Sequence, residues 1–197
     1  QVIFMKGVLF KSILSADIDH ETLPDTVDEF GITQDHKNII GNNAYALIKD
    51  DMSVEHFSLQ GITLTGVKNA GGNEYDAAIT VEHAGVTLQQ ITALGNISYY
   101  GSALSIHGNV NCAVEVDDFY GSGNGSDGYG IISLDESKCQ EIHLNKITLD
   151  GNSDYSTAVY IYEVAAEVNF NQLSVLNDAT ESGDYGYAME VEIDHGI

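Results

Sequence analysis

Glu82, His107, Asp135, Tyr162 and Glu192 recur at a near-constant interval, with Tyr160 and Glu190 two positions before the last two. Carboxylates set in pairs can serve as general acid and general base on a glycosidic bond. That chemistry requires the two groups to converge on one bond. Here the acids are strung out at the repeat interval, and exposed acids on strands usually serve only to keep a surface soluble. These residues are therefore expected to line an outer face without doing catalysis, and a carbohydrate-active enzyme is the minority reading.

Other residues could hold or modify something. Cys112 and Cys139 lie at nearly equivalent repeat positions, two residues before Val114 and three before Ile142. Their spacing suits a disulfide staple between neighbouring coils. Asn96-Ile-Ser and Asn124-Gly-Ser are glycosylation sequons, expected on outer loops. The glycine-rich run Gly121–Gly130 resembles one calcium-binding repeat, and Asp117, Asp118 and Asp127 supply the oxygen ligands that calcium prefers; a flexible turn is the default. No other cofactor is indicated. Thr63, Thr92, Thr148 and Ser174 form an outward hydroxyl column, but Tyr120 interrupts it, and strand propensity explains it better than ordered-water binding.

The elements that position these residues are repeats. FSLQGITLTGV (Phe57–Val67), VTLQQITALGN (Val86–Asn96), VEVDDFYGSGN (Val114–Asn124), IHLNKITLDGN (Ile142–Asn152) and VNFNQLSVLND (Val168–Asp178) share one pattern, and IFMKGVLFKSI (Ile3–Ile13) fits it. Each has an apolar alternating pair, two polar or turn-forming residues, and a second apolar pair. From Phe57 onward the copies start 29, 28, 28 and 26 residues apart. A fixed period in this range signals a stacked solenoid. Before each copy lies another alternating stretch, such as DAAITVEH, GSALSIHG, YGIISLDE and STAVYIYE. Ile79/Val81, Leu104/Ile106, Ile132/Leu134 and Val159/Ile161 point one way, with Thr80/Glu82, Ser105/His107, Ser133/Asp135 and Tyr160/Tyr162 opposite. Period two in Val-, Ile-, Thr- and Tyr-rich runs is strand.

Two residues are too few for strands this short to hairpin with their own neighbours, so each must pair with its equivalent one repeat later. The result is an all-β, right-handed parallel β-helix of about six coils, a single domain over residues 1–197. The corner positions Gln60, Gln89, Asp117, Asn145 and Asn171, followed by Gly61, Gln90, Asp118, Lys146 and Gln172, need residues that tolerate left-handed dihedrals. Amides stacked one coil apart can also form a ladder. The pattern lapses over about residues 14–42, which carry many acids. This stretch is either a degenerate coil or a large acidic loop, and the lack of clean inward pairs before Ile39 favours the loop.

The chain carries 30 acidic residues against 7 Lys and no Arg, for a net charge of −23. Nucleic acid is a poor partner for such a surface. No apolar run approaches the length that inserts into a membrane. The composition, with its even cysteine count, suits a secreted, processed protein of the cell exterior.

The repeat ends ITALGN, ITLDGN and FYGSGN, with the starts YGSAL, YGYAM and YDAAI, resemble repeats of polymorphic outer-membrane-type surface proteins and of the wider pectate-lyase-like β-helix superfamily. The likeness covers Asn43–Ile197, although no copy has the full G-G-A-I. It implies the fold, and it implies an adhesin or passenger module as one function. Pectate lyases and polygalacturonases of this superfamily set carboxylates beside an Arg or Lys on one outer face. The absence of any arginine here leaves the lyase pattern unmatched.

The first copy opens at the second strand of a coil, and Tyr187–Ile197 stops after the first strand. Complementary open edges invite head-to-tail contact. The leading expectation is a structural extracellular protein that polymerises with itself into a filament, sheath or surface layer. Its interface would comprise Ile3, Met5, Val8 and Phe10 at one end and Met189, Val191 and Ile193 at the other, with glycans as further partners.

Overall fold

The computed structural model describes residues 38–44, 46–50, 55–68, 77–98, 101–108, 113–126, 130–154, 157–165, 167–176, 179–180 and 187–192. These form a parallel β-solenoid with no helix among them, and hence no helix long and apolar enough to cross a membrane. Three sheets run along it. The long sheet contains Asn38–Ala44, His56–Gln60, Thr63–Val67, Gly85–Leu94, Ala113–Ser122, Glu141–Asp150 and Glu167–Leu176. The short sheet contains Ile48–Lys49, Ile79–Val81, Gly101–His107, Gly130–Asp135, Thr157–Tyr162 and Tyr187–Glu192. A third, narrow sheet stacks Ile97–Ser98, Gly125–Ser126, Ser153–Asp154 and Ala179–Thr180.

The repeat sets the register. Val86 pairs with Val114, Val114 with Ile142 and Ile142 with Val168, each one coil on. Like therefore packs on like along the axis. Val86, Leu88, Ile91 and Ala93 are at most 1% exposed, and Ile142, Leu144, Ile147 and Leu149 match them. Each such side chain is worth about 1.5–3 kcal/mol of burial before entropy is charged.

The corner behaves as its residue types require. Gly61, Gln90, Asp118, Lys146 and Gln172 all have φ between 51° and 68°. Only glycine takes that conformation without strain, so four of the five corners carry a cost. At the preceding position the Asn145 amide donates to Asp117 Oδ1, and Asn171 Nδ2 donates to Asn145 Oδ1 at 2.9 Å.

Two expectations change. Among the described residues four coils contribute a strand to all three sheets, beginning at Ile79, Gly101, Gly130 and Thr157, so the described solenoid has about four coils where six were expected. Part of the short sheet's outward side is also closed to solvent: Thr80, Ser105 and Ser133 are 0% exposed, as buried as the inward residues beside them. Alternation tells which residues share a face, not whether that face is covered. Within the irregular acidic stretch, Asn38–Ala44 is a strand, with Ile39 opposite Leu64. Residues 14–37 lie outside the described residues.

Candidate functional site

The asparagines that end three repeats form a second ladder, inside the coil. Asn96 Nδ2 donates to Asn124 Oδ1 at 3.1 Å, and Asn124 Nδ2 donates to Asn152 Oδ1 at 3.0 Å. The same oxygens accept backbone N–H groups of Asn96 and Asn124, each at 3.0 Å. Nδ2 of Asn96, Asn124 and Asn152 also donates to the carbonyls of Leu64, Ala93 and Gly121. A turn buried against the core thereby satisfies its polar backbone. This corrects the expectation of outer-loop sequons: Asn96 is 0% and Asn124 1% exposed, with the acceptor nitrogens already engaged. The signal was available in the sequence, since an asparagine repeats at the coil period.

The outward column of the short sheet does not gather paired carboxylates. His107 and Tyr162 lie either side of Asp135 in register. His107 Nδ1 lies 3.2 Å from the Asp135 main-chain oxygen. Asp135 is 3% exposed, and burial pushes its carboxyl from 3.8 up to about 6; His107 pulls it back, while Glu136 and Glu163 push it further up. Glu82, one coil before His107, is paired with Lys49 at 2.7 Å. Tyr160 and Tyr162 stack, their ring centroids 6.2 Å apart. Glu192 continues the register opposite Tyr162. The column thus holds one buried acid between a histidine and a tyrosine, and Glu82 is tied up in an ion pair.

Asp117 meets Asn145 and lies 3.5 Å from Lys146 Nζ, and Asp118 is exposed at its left-handed corner. Asp127 lies outside the described residues, among which no cluster of three or more His, Cys, Asp or Glu side chains is placed to hold a metal. Cys139 is 2% exposed and is not a free thiol. Cys112, expected to be its partner, lies outside the described residues.

The clearest departure from repetition is at the C-terminal end of the stack. Val168, Phe170, Leu173 and Val175 continue the inward columns but are only partly buried, whereas their counterparts one coil earlier are at most 1% exposed. In the short sheet Val159 and Ile161 are 0% and 6% exposed, but Met189 and Val191, next in register, are 42% and 52% exposed. Among the described residues no strand pairs with the outer edges of Glu167–Leu176, Ala179–Thr180 or Tyr187–Glu192. This rung offers both an apolar floor and unpaired strand edges. At the other end of the proposed interface, Ile3, Met5, Val8 and Phe10 lie outside the described residues, as does Ile193.

No family model, curated protein or solved structure matches the chain.

Proposed function

We propose that this chain is a structural β-solenoid that stacks end to end with copies of itself, building a filament, sheath or surface layer outside the cell. The observation that carries the reading is the rung of Tyr187–Glu192, where Met189 and Val191 leave about half their surface in water at positions that the coils before it bury. A parallel strand laid on that edge would pair its backbone groups and cover the apolar floor at once. Stacking of this kind is heterologous, so it propagates instead of closing.

The acidic composition supports an extracellular setting, and a Cys112–Cys139 bond would staple neighbouring coils there. A non-reducing peptide map with both cysteines as free thiols would remove that staple. The reading assigns no catalytic residue and needs no cofactor; calcium at Asp117, Asp118 and Asp127 is not required by it. Glycan partners belong to the second reading, a β-helical adhesin or passenger module of a larger surface protein. That reading is favoured by the resemblance of the GN-ended repeats to polymorphic outer-membrane-type proteins, and it predicts more coils encoded beside this one.

Electron microscopy of the purified protein tests the leading reading. Rods that lengthen with concentration, and with added salt or divalent cation that screens the net charge of −23, are expected. Dispersed single particles under all these conditions would overturn it.

A further inference from the structure

Asn124 is followed by Gly125, the one Asn-Gly pair in the chain. We infer that this pair is a site of self-modification that the folded coil holds shut: once the coil opens, Asn124 loses its amide nitrogen, and the coil cannot close again as before. The site lies inside the stack and is independent of end-to-end association.

The chemistry needs only water. The Gly125 backbone nitrogen gives its proton to water and attacks Asn124 Cγ. A C–N bond forms, the Cγ–Nδ2 bond breaks, and Nδ2 leaves as ammonia. Water then opens the five-membered imide at either carbonyl and leaves aspartate or isoaspartate at 124. In sum, amide and water become carboxylate and ammonium. Glycine suits the attack because it has no side chain in the way and gives the backbone the freedom that ring closure requires. The other ladder asparagines, Asn96 and Asn152, are followed by Ile97 and Ser153, whose side chains hinder the same step.

The folded coil opposes each step. The Gly125 N–H donates to the Asn96 carbonyl at 2.7 Å, so the attacking nitrogen keeps its proton. Asn124 Oδ1 accepts from the backbone N–H and Nδ2 of Asn96, and Nδ2 donates to the Ala93 carbonyl and to Asn152 Oδ1. Turning Cγ onto the Gly125 nitrogen would break these four bonds. Gly125 is also held between Ile97 and Ser153 in register, and Asn124 is 1% exposed, which keeps water away.

The product does not fit the place it came from. Aspartate lacks Nδ2, so the Ala93 carbonyl and Asn152 Oδ1 lose their donor and a charge is buried between coils. Isoaspartate adds a main-chain atom just before Gly125, where both neighbouring coils fix the register. Opening followed by this reaction is therefore one-way.

The test is to hold the native protein at mildly alkaline pH in buffer and in guanidinium chloride, and to follow the Asn124 peptide by mass and by isoaspartate content. Modification of a closed site tracks the open fraction, so the reaction should run at least about a hundredfold faster in denaturant. Gly125→Ala should fold, since its new Cβ would meet Ile97 Cγ1 and the Ser153 carbonyl at an ordinary 3.6 Å. In denaturant it should react about tenfold more slowly than the native sequence. On dilution, refolding of the native sequence should fall in step with the modified fraction, while Gly125→Ala chains held equally long recover. Equal rates in buffer and denaturant would overturn the lock. No reaction at Asn124 in denaturant would overturn the chemistry, and full refolding of modified chains would overturn the one-way step.

Discussion

Asn124 Oδ1 lies 3.1 Å from Asn96 Nδ2 across one full coil, in a position closed to water. Removing that oxygen strands the Asn96 backbone N–H, and removing Nδ2 strands the Ala93 carbonyl. An unsatisfied buried group costs about 1–3 kcal/mol. Asn124→Ala is therefore expected to lower stability by roughly 3 kcal/mol, and Asn124→Asp by at least as much, since it also buries a charge. Urea unfolding checks both. The folded protein is also expected to carry no glycan at Asn96 or Asn124, even from a host that glycosylates such sequons.

Gln90 sits at a corner with φ of 53° and makes its turn without the freedom of glycine. A left-handed residue other than glycine costs about 1–2 kcal/mol, partly offset by the greater unfolded-state entropy of glycine. Gln90→Gly is expected to raise stability by about 0.5–1 kcal/mol, and Gln90→Val to lower it. Paired thermal melts read the sign.

Asp50 accepts three backbone N–H bonds, from Glu82, His83 and Ala84, each at 2.6 Å. Its carboxylate thus ties down a bend one coil away. Asp50→Ala is expected to cost about 2–4 kcal/mol, because three charge-assisted bonds to backbone donors are lost. Hydrogen exchange should quicken first at those three amides.

Asp135 is expected to give the fold a pH dependence. Its folded carboxyl titrates at about 6 against an ordinary 3.8, chiefly because it is buried. Between those values the folded chain holds more protons than the unfolded one, so stability falls as pH rises from about 4 to about 6 and stays lower above that. Asp135→Asn removes this dependence. The variant is expected to exceed the native protein at pH 7.5 by on the order of 2 kcal/mol and to match it near pH 3.5. Urea midpoints across that range measure the difference.

The repeat period made most of this architecture legible. Val86, Val114 and Ile142 stand in register because equivalent residues share one chemistry, and the corner column needed left-handed dihedrals where Gln90 and Lys146 adopt them. What sequence alone left hidden was cover. Ser105 and Ser133 read as outward because they alternate with Leu104, Ile106 and Leu134, yet both are closed to water. Asn96 and Asn124 read as surface sequons because asparagine beside glycine or serine marks a turn, and nothing local says which way a turn residue points. Of the six repeats read in the sequence, Ile3–Ile13 lies outside the described residues, and among those described four coils carry a strand in all three sheets. The exposed apolar floor at Met189 and Val191 comes from the structure alone.

That floor is most directly tested by placing a charge in it. Sedimentation velocity over a wide concentration range should show the native protein growing into a series of larger species. Val191→Asp, at a position already 52% exposed, should keep the fold yet remain a single small species. Native protein that never exceeds the monomer, or a Val191→Asp chain that stacks as well as the native one, would contradict the account.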